Sequence, residues 1–364
     1  MLSVSREASG FRPVFSSSSF PKASPGTGLR PNMSQLPACP EEQFVHPVGI
    51  MKFGCMFLIL GVSLTILISS IAIGAKPKGP IWTDPAKAIK EDPDFAIQGE
   101  YAAENTGIQV AALGDGKFHL SRFEGGLPGA GWDNSAPKVE LVDKAGAQDA
   151  TQACRKIHRK SPTLGKKPPQ GADVLVGEKL DPKLIKGKGE NGLLHPPAQS
   201  VKEYGDFTMH LEFRLPYKPK SPLSSQDRGN SGVYLQNRYE VQILDSFGLV
   251  YDREHVKVKV RSDPRQWCGC FYRFKTADIP MCLPPLAWQT YDIEFTAPRF
   301  DAEGRKTADA TITVVHNGAK IHDAVQLPKG TGNGGTRPEV PKGPIIFQGH
   351  GNPVNFRNVW ILEK

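Results

Sequence analysis

The second half of the chain predicts an all-β fold, a sandwich of the jelly-roll kind. Three observations carry this: alternating apolar and polar runs, short gaps of turn residues between them, and almost no helical periodicity. DFTMHLEFRL, beginning at Asp206, puts Phe207, Met209, Leu211, Phe213 and Leu215 on one face of a strand. Thr208, His210, Glu212 and Arg214 fall on the other, which reads as a solvated face with cross-strand pairing. WQTYDIEF repeats the pattern with Tyr291, Ile293 and Phe295 against Asp292 and Glu294. TITVVHNG adds a strand that ends in an Asn-Gly turn, and GPIIFQGHG and VNFRNVWIL supply two more runs around a loop at Gly349 to Pro353.

The chain before the sandwich reads in stages. Residues 1–50 are rich in Ser, Pro and Gly and carry no periodic pattern, as in a disordered leader or a start assigned too early. Residues 51–75, MKFGCMFLILGVSLTILISSIAIGA, have a Lys after the Met, an unbroken apolar run and a small-residue end. That is the layout of a signal peptide, and 53–74 is also long enough to anchor the chain in a membrane. On either reading the remainder is exported, to a periplasm, the extracellular space or the cell envelope. Residues 76–93 form a Pro- and Lys-rich connector. Residues 94–142 form a small β unit in which GIQVAAL and KFHLSRF flank the turn Gly114-Asp115-Gly116. Trp132, in the Gly-dense GGLPGAGWD, caps this unit or touches a ligand. Residues 143–172, a helix-like patch around Ala150 to Arg159 and then SPTLGKKPPQGAD, make a linker to the sandwich at 173–364.

The sandwich centres on GNSGVYLQNRYEVQILDSFG, residues 229–248. Val233 to Gln236 and Tyr239 to Leu244 read as a hairpin joined by Asn237-Arg238. Alternation puts Tyr239, Val241 and Ile243 on one face and Glu240 with Gln242 on the other, about 6 to 7 Å apart. Asp245 joins that second face only if a bulge intervenes. His350, flanked by glycines in FQGHGNPV, is the histidine best suited to proton transfer, since imidazole titrates near neutrality. Gln348 shares its strand face, Arg357 is a donor for an oxyanion or a surface charge, and Asn230 caps a turn or binds a hydroxyl.

The formal net charge of +8 invites a nucleic-acid reading. The basic residues are dispersed or sit in linkers, and no nucleic-acid-binding signature is present, so no nucleic acid is expected. Of six cysteines, Cys39 and Cys55 belong to the N-terminal stages. In an oxidising compartment a bridge joins Cys268 or Cys270 to Cys282, the pair Cys268 and Cys282 being the candidate, because no fourth ligand stands at zinc spacing. No G-x-S-x-G, H-E-x-x-H or phosphate loop occurs, which leaves esterase, zinc-protease and nucleotide readings without support.

From about Gly171 the chain resembles the 3-keto-disaccharide hydrolase family. The stretches that carry the resemblance are DFTMHLEFR, GNSGVYLQNRYEVQILDSFG, CGCFY…MCLPPLAWQTYDIEF, VVHNG and GPIIFQGHGNPVNFRNVWI. Residues 94–133 resemble the N-terminal extension of its exported bacterial members. The resemblance implies a concanavalin A-like lectin/glucanase fold and a carbohydrate substrate. The pattern Glu240-x-Gln242-x-x-Asp245 is also similar to the E-x-D-x-x-E strand of laminarinase-like glucanases, with Gln and Asp in place of the second and third carboxylates. Retaining hydrolysis needs two carboxyl groups about 5 to 5.5 Å apart. The family's activity implies another route, in which a ketone at C3 acidifies the C2 proton, a base removes it, the C1 oxygen leaves and water adds. Glu240 or His350 is then the base, and Arg357, Gln242 and Asn230 hold the enolate or the sugar oxygens, with Asp245 and Gln348 as further binding residues. A divalent metal held by Glu240 and His350 is an alternative to the arginine. Where the family usually has Asp before the histidine, this chain has Gly349. A lectin-like binding module without catalysis, or an envelope scaffold, is the expectation if no acid or base proves poised.

Overall fold

A computed structural model describes residues 79–223, 225–250 and 263–364 of the protein. The leader at 1–50, the signal or anchor segment at 51–75, Cys39 and Cys55 lie outside the described residues. Among the described residues no helix is long and apolar enough to cross a membrane.

The stretch expected as an exposed connector instead contains a short helix, α1 (Pro85–Glu91), and a second, α2 (Pro93–Ile97), starts at its last residue. Each opens on an Asp-Pro pair. Asp84 accepts from the Ala86 N–H and Asp92 from the Asp94 N–H, while proline occupies the first turn, where its missing donor is no loss. Five antiparallel strands then form a small sheet: β1 (Gly99–Ala103), β2 (Thr106–Gly114), β3 (Lys117–Glu124), β4 (Lys138–Asp143) and β5 (Arg155–Ile157), in the order β4-β3-β2-β1-β5. The β2–β3 hairpin turns through Asp115 and Gly116, both at positive φ. Trp132 packs edge-on against Phe123, 5.5 Å between ring centres, as a cap on the sheet. The helix between β4 and β5, α3 (Lys144–Thr151), starts earlier than the sequence suggests because the Asp143 carboxylate accepts from the Gly146 N–H.

The remaining strands are β6 (Asp173–Val176), β7 (Ile185–Glu190), β8 (Leu193–Ser200), β9 (Phe207–Arg214), β10 (Ser231–Leu235), β11 (Tyr239–Ile243), β12 (Trp288–Thr296), β13 (Arg299–Phe300), β14 (Lys306–Ala308), β15 (Ala310–His316), β16 (Ala319–Leu327), β17 (Ile346–Phe347) and β18 (Asn355–Glu363). All but the β13–β14 ribbon join one antiparallel sheet in the order β11-β10-β17-β8-β18-β9-β12-β15-β16, with β6 on β18 and β7 on β8. The sheet curls until distant strands face each other across the core. Tyr239 of β11 lies 5.6 Å from Phe295 of β12, and the Tyr291 hydroxyl of β12 donates to the Gln242 carbonyl of β11 at 2.7 Å. Phe207, Met209, Leu211 and Phe213 of β9, with Val233, Val241 and Ile243 of the β10–β11 hairpin, are buried in the core between them. Each such side chain contributes about 1.5 to 3 kcal/mol by leaving water. This is the all-β jelly-roll sandwich that the alternation predicts.

Where the small sheet meets the sandwich, a buried arginine joins them. The Arg228 Nε donates to Asp245 Oδ2 at 2.7 Å, and its terminal nitrogens donate to the carbonyls of Pro219, Ser221 and, on β2, Ala112. Beside it the Ser121 hydroxyl of β3 donates to the Gly248 carbonyl at 2.8 Å. Asp245 is therefore no member of the Glu240 face. The chain leaves the strand at Ile243, alternation stops applying, and the carboxylate turns to Arg228. Since both partners are fully buried, Asp245→Ala leaves an uncompensated cation, and urea unfolding should show a loss of about 3 to 5 kcal/mol. A loss under about 1 kcal/mol would mean that water reaches the pair.

Candidate active site

The hairpin turns through Gln236 and Asn237, at φ 51° and 57°, and the Arg238 N–H donates to the Leu235 carbonyl at 3.0 Å. Two successive left-handed residues suit a tight hairpin because they match the strand twist. The turn thus falls one residue before the expected Asn237-Arg238 pair. Tyr239, Val241 and Ile243 face the core, while Glu240 stands opposite Tyr234 and Gln242 opposite Gly232. Every residue of β10 and β11 is buried. The outer edge of β11 is closed by chain from two loops. Gln242 donates to Cys270 and accepts from Gly269, the Tyr272 N–H donates to the Glu240 carbonyl, and the Glu240 N–H donates to Thr331 Oγ1 at 2.8 Å.

A pocket of about 530 Å³ opens on the polar side of this hairpin. Asn230, Tyr234 and Glu240 form one wall, Tyr272, Arg273 and Phe274 a second, the glycine-rich 329–336 loop a third, and Gln348 with His350 a fourth. Four residues singled out in the sequence, Asn230, Glu240, Gln348 and His350, are thereby brought together. Glu240 Oε2 accepts from the Tyr234 hydroxyl at 2.7 Å. Burial raises the Glu240 carboxyl to about 7 against the opposing pull of that hydrogen bond. A Cβ on Gly232 would come within 2.4 Å of Glu240 Oε1, so glycine here makes room for the carboxylate. Asn230 Oδ1 accepts from Gln242 Nε2 at 3.2 Å, which among the described residues leaves the Asn230 amide nitrogen free to donate. Gln348 Nε2 reaches the Tyr234 hydroxyl at 3.4 Å, and its buried Oε1 has no partner among the described residues. His350 stands exposed at the rim, where partial burial lowers its pKa and leaves the ring neutral at pH 7.

Other expected residues stand elsewhere. Gln242 is fully buried behind Asn230, positioning it without lining the pocket. Arg357 lies opposite Glu212 on β9, donates to its Oε2 at 2.7 Å and rests 3.9 Å from the Trp288 ring. That face is covered, contrary to the solvated reading, by residues 161–167: the Gly165 N–H donates to Glu212 Oε1, and Thr163 and Lys166 to Asp292, which also pairs with His210. Cys268 and Cys282 are free thiols in contact with each other, not a bridge. Among the described residues no three His, Cys, Asp or Glu side chains gather to hold a metal ion. The pair expected to do so offers one carboxylate engaged by Tyr234 and one exposed imidazole, a poor fit for a divalent cation. The aromatic and basic residues of the two loops, Tyr272, Arg273, Phe274 and Lys329, were not legible as site residues. The glycines of KGTGNGGT were the available signal of close backbone approach.

A buried carboxylate poised near neutrality in a polar pocket with aromatic rings at its rim, set on a jelly-roll sandwich, marks a carbohydrate-active domain. Residues 183–362 match the 3-keto-alpha-glucoside-1,2-lyase-like domain family. Two solved structures of proposed glycosyl hydrolases from Parabacteroides distasonis ATCC 8503 are similar to it. One is 28% identical over 54% of this chain and 85% of that one, with a TM-score of 0.43. The other is 18% identical over 56% and 92%, with a TM-score of 0.35. The GH43 BlXynB protein from Bacillus licheniformis is 10% identical over 74% and 56%, with a TM-score of 0.29. No curated protein matches the chain. Gly349 also finds its explanation here, since a Cβ at this position would lie 2.7 Å from Pro197 Cδ and 2.8 Å from its nitrogen. The Pro197 ring occupies the space that an aspartate side chain would enter.

Folding raises Glu240 from its ordinary 4.5 to about 7, so between those values the folded chain holds more protons than the unfolded one. The stability tied to this proton is present in full below the unfolded value and lost as pH rises through 7, a change of up to about 3 kcal/mol. Glu240→Gln needs no ionisation. Urea unfolding should find it more stable than wild type at pH 8 by up to about 3 kcal/mol, with the difference vanishing near pH 4.5. An identical pH dependence in the two proteins would contradict the burial of this carboxylate.

Proposed function

We propose that the sandwich domain cleaves the glycosidic bond of 3-keto-glycosides by elimination, with Glu240 as the base, followed by addition of water. The observation that carries this reading is that Glu240 is the single carboxylate among the described residues lining the pocket, with its pKa near the working pH. Retaining and inverting hydrolysis both need a second carboxyl group across the bond, about 5 to 9.5 Å away. One tuned base is what abstraction beside a ketone requires.

Glu240 takes the C2 proton, and its electron pair forms the enolate with C3 and its oxygen. The Asn230 amide nitrogen is placed to donate to that oxygen. The enolate then reforms the C3 ketone as a C1–C2 double bond is made and the C1–O bond breaks. The departing oxygen receives the proton that Glu240 took, which restores the carboxylate. Water next adds its oxygen to C1 and a proton to C2, completing a net hydrolysis. Tyr234 orients the carboxylate throughout, and neutral His350 at the rim is available to relay a proton from solvent. Export through residues 51–75 accords with a substrate met outside the cytoplasm. Phe274, an exposed ring beside Tyr272 at the pocket, favours a second reading, a binding module that only stacks on sugars.

The test is turnover of a 3-keto-glucoside beside its unoxidised parent, with and without chelator. Release from the keto substrate alone is expected, with kcat/KM rising through pH 7 as Glu240 ionises. Glu240→Gln should lose about 100-fold or more. If neither substrate turns over while wild type and variant bind the glycan equally, the domain is a lectin-like module.

A further inference from the structure

Resting on the pocket described above, we infer that it selects glycosides bearing an anionic group on C6, a carboxylate or a phosphate or sulfate ester, held by Arg273 and Lys329. Both cations line the cavity with Glu240, and neither guanidinium nor ammonium has an acidic partner among the described residues. Both side chains are exposed to solvent at the cavity, whereas Lys166, Lys218, Arg299 and Lys306 are each ion-paired. With Glu240 largely shielded, the lining carries two positive charges without a counter-charge among the described residues, around a chamber sized for a sugar. Such charges attract a counter-charge on the ligand, and an arginine fork matches carboxylate or phosphate oxygens in pairs.

The backbone adds an independent sign. Arg273 sits at φ +58°, a left-handed conformation that costs a non-glycine residue energy. It is held there by its N–H donating to the Arg265 carbonyl at 2.9 Å, with its guanidinium 5.4 Å from the Tyr272 ring. The turn seats Arg273 beside Tyr272 at the cavity, with its guanidinium open to solvent.

The position on the sugar follows from the ring. Burial and the Tyr234 hydroxyl are the influences on the Glu240 carboxyl, and the two cations are not among them. With C2 placed at Glu240, the atom across a pyranose ring is C5, and the substituent it carries towards the far wall is C6. An oxidised or esterified C6 then meets Arg273 and Lys329 while C2 meets the base.

Methyl 3-keto-α-glucoside, its C6 carboxylate and its 6-phosphate would be compared as substrates of the full chain. The expected result is a kcat/KM at least about 10-fold higher for one or both charged substrates, a preference that added salt erodes. The double change R273Q/K329Q should bring the ratio of charged to neutral substrate close to one, and which charged arm leads identifies the anion. A ratio near one in wild type, or one unmoved by salt and by the double change, would overturn the inference. If no keto substrate reacts, calorimetric binding of methyl α-glucuronide against methyl α-glucoside decides separately. Preference for the uronide, lost in the double variant, upholds the anionic site while the elimination reading falls, and equal or absent binding overturns the site as well.

Discussion

A strand pair buried on both faces sets the terms for everything around it. The apolar side of the β10–β11 hairpin is an ordinary core surface, held by the sheet that curls back over it. The polar side carries a carboxylate into a place where ionisation is costly. For Glu240 to sit there, Gly232 must lack a side chain, Tyr234 must supply a hydroxyl, and two distant loops must close the strand edge that the hairpin leaves open. The pocket is the space left between these parts.

Two buried glutamates on the same sheet show how local donors decide the role of a carboxylate. Burial pushes the Glu212 carboxyl up, but hydrogen bonds from His210, Asn358, Gly165 and Arg357 outweigh it and bring it down to about 2. Glu240 faces the same opposition with one hydroxyl to answer it, and stays near 7. The first is a permanent anion that pins the 161–167 segment to the sheet. The second can take up and release a proton, because its surroundings satisfy it incompletely.

Legibility in the sequence followed the range of the interactions. The strands in DFTMHLEFR and WQTYDIEF, and the face shared by Glu240 and Gln242, were readable because alternation is a local consequence of the pleat. The strands at Ile185–Glu190 and Leu193–Ser200 were not, since glycines, lysines and two prolines interrupt any apolar pattern there. The Asp-Pro caps of the first helices are local signals set in a stretch whose composition reads as a connector. The place of Arg357 was not readable, because strand alternation says which side a residue takes but not which partner waits there; Glu212 comes from a strand more than a hundred residues earlier. The second and third walls of the pocket come from loops whose placement is set by nonlocal backbone bonds to Glu240 and Arg238, and no periodicity announces those.

The segment between the small sheet and the sandwich has the composition of a flexible tether, yet the sheets it connects share the donors of a single guanidinium. Arg228 spends its hydrogen bonds on Asp245 at the end of the site strand and on the Ala112 carbonyl of β2. Removing the small sheet would strand that donor in the dark and bare the Gly248 carbonyl that Ser121 now satisfies. The two sheets are therefore one inheritable unit. Recombination that swapped the sandwich alone would break the Arg228–Ala112 and Ser121–Gly248 bonds that brace the chain just beyond the Glu240 strand.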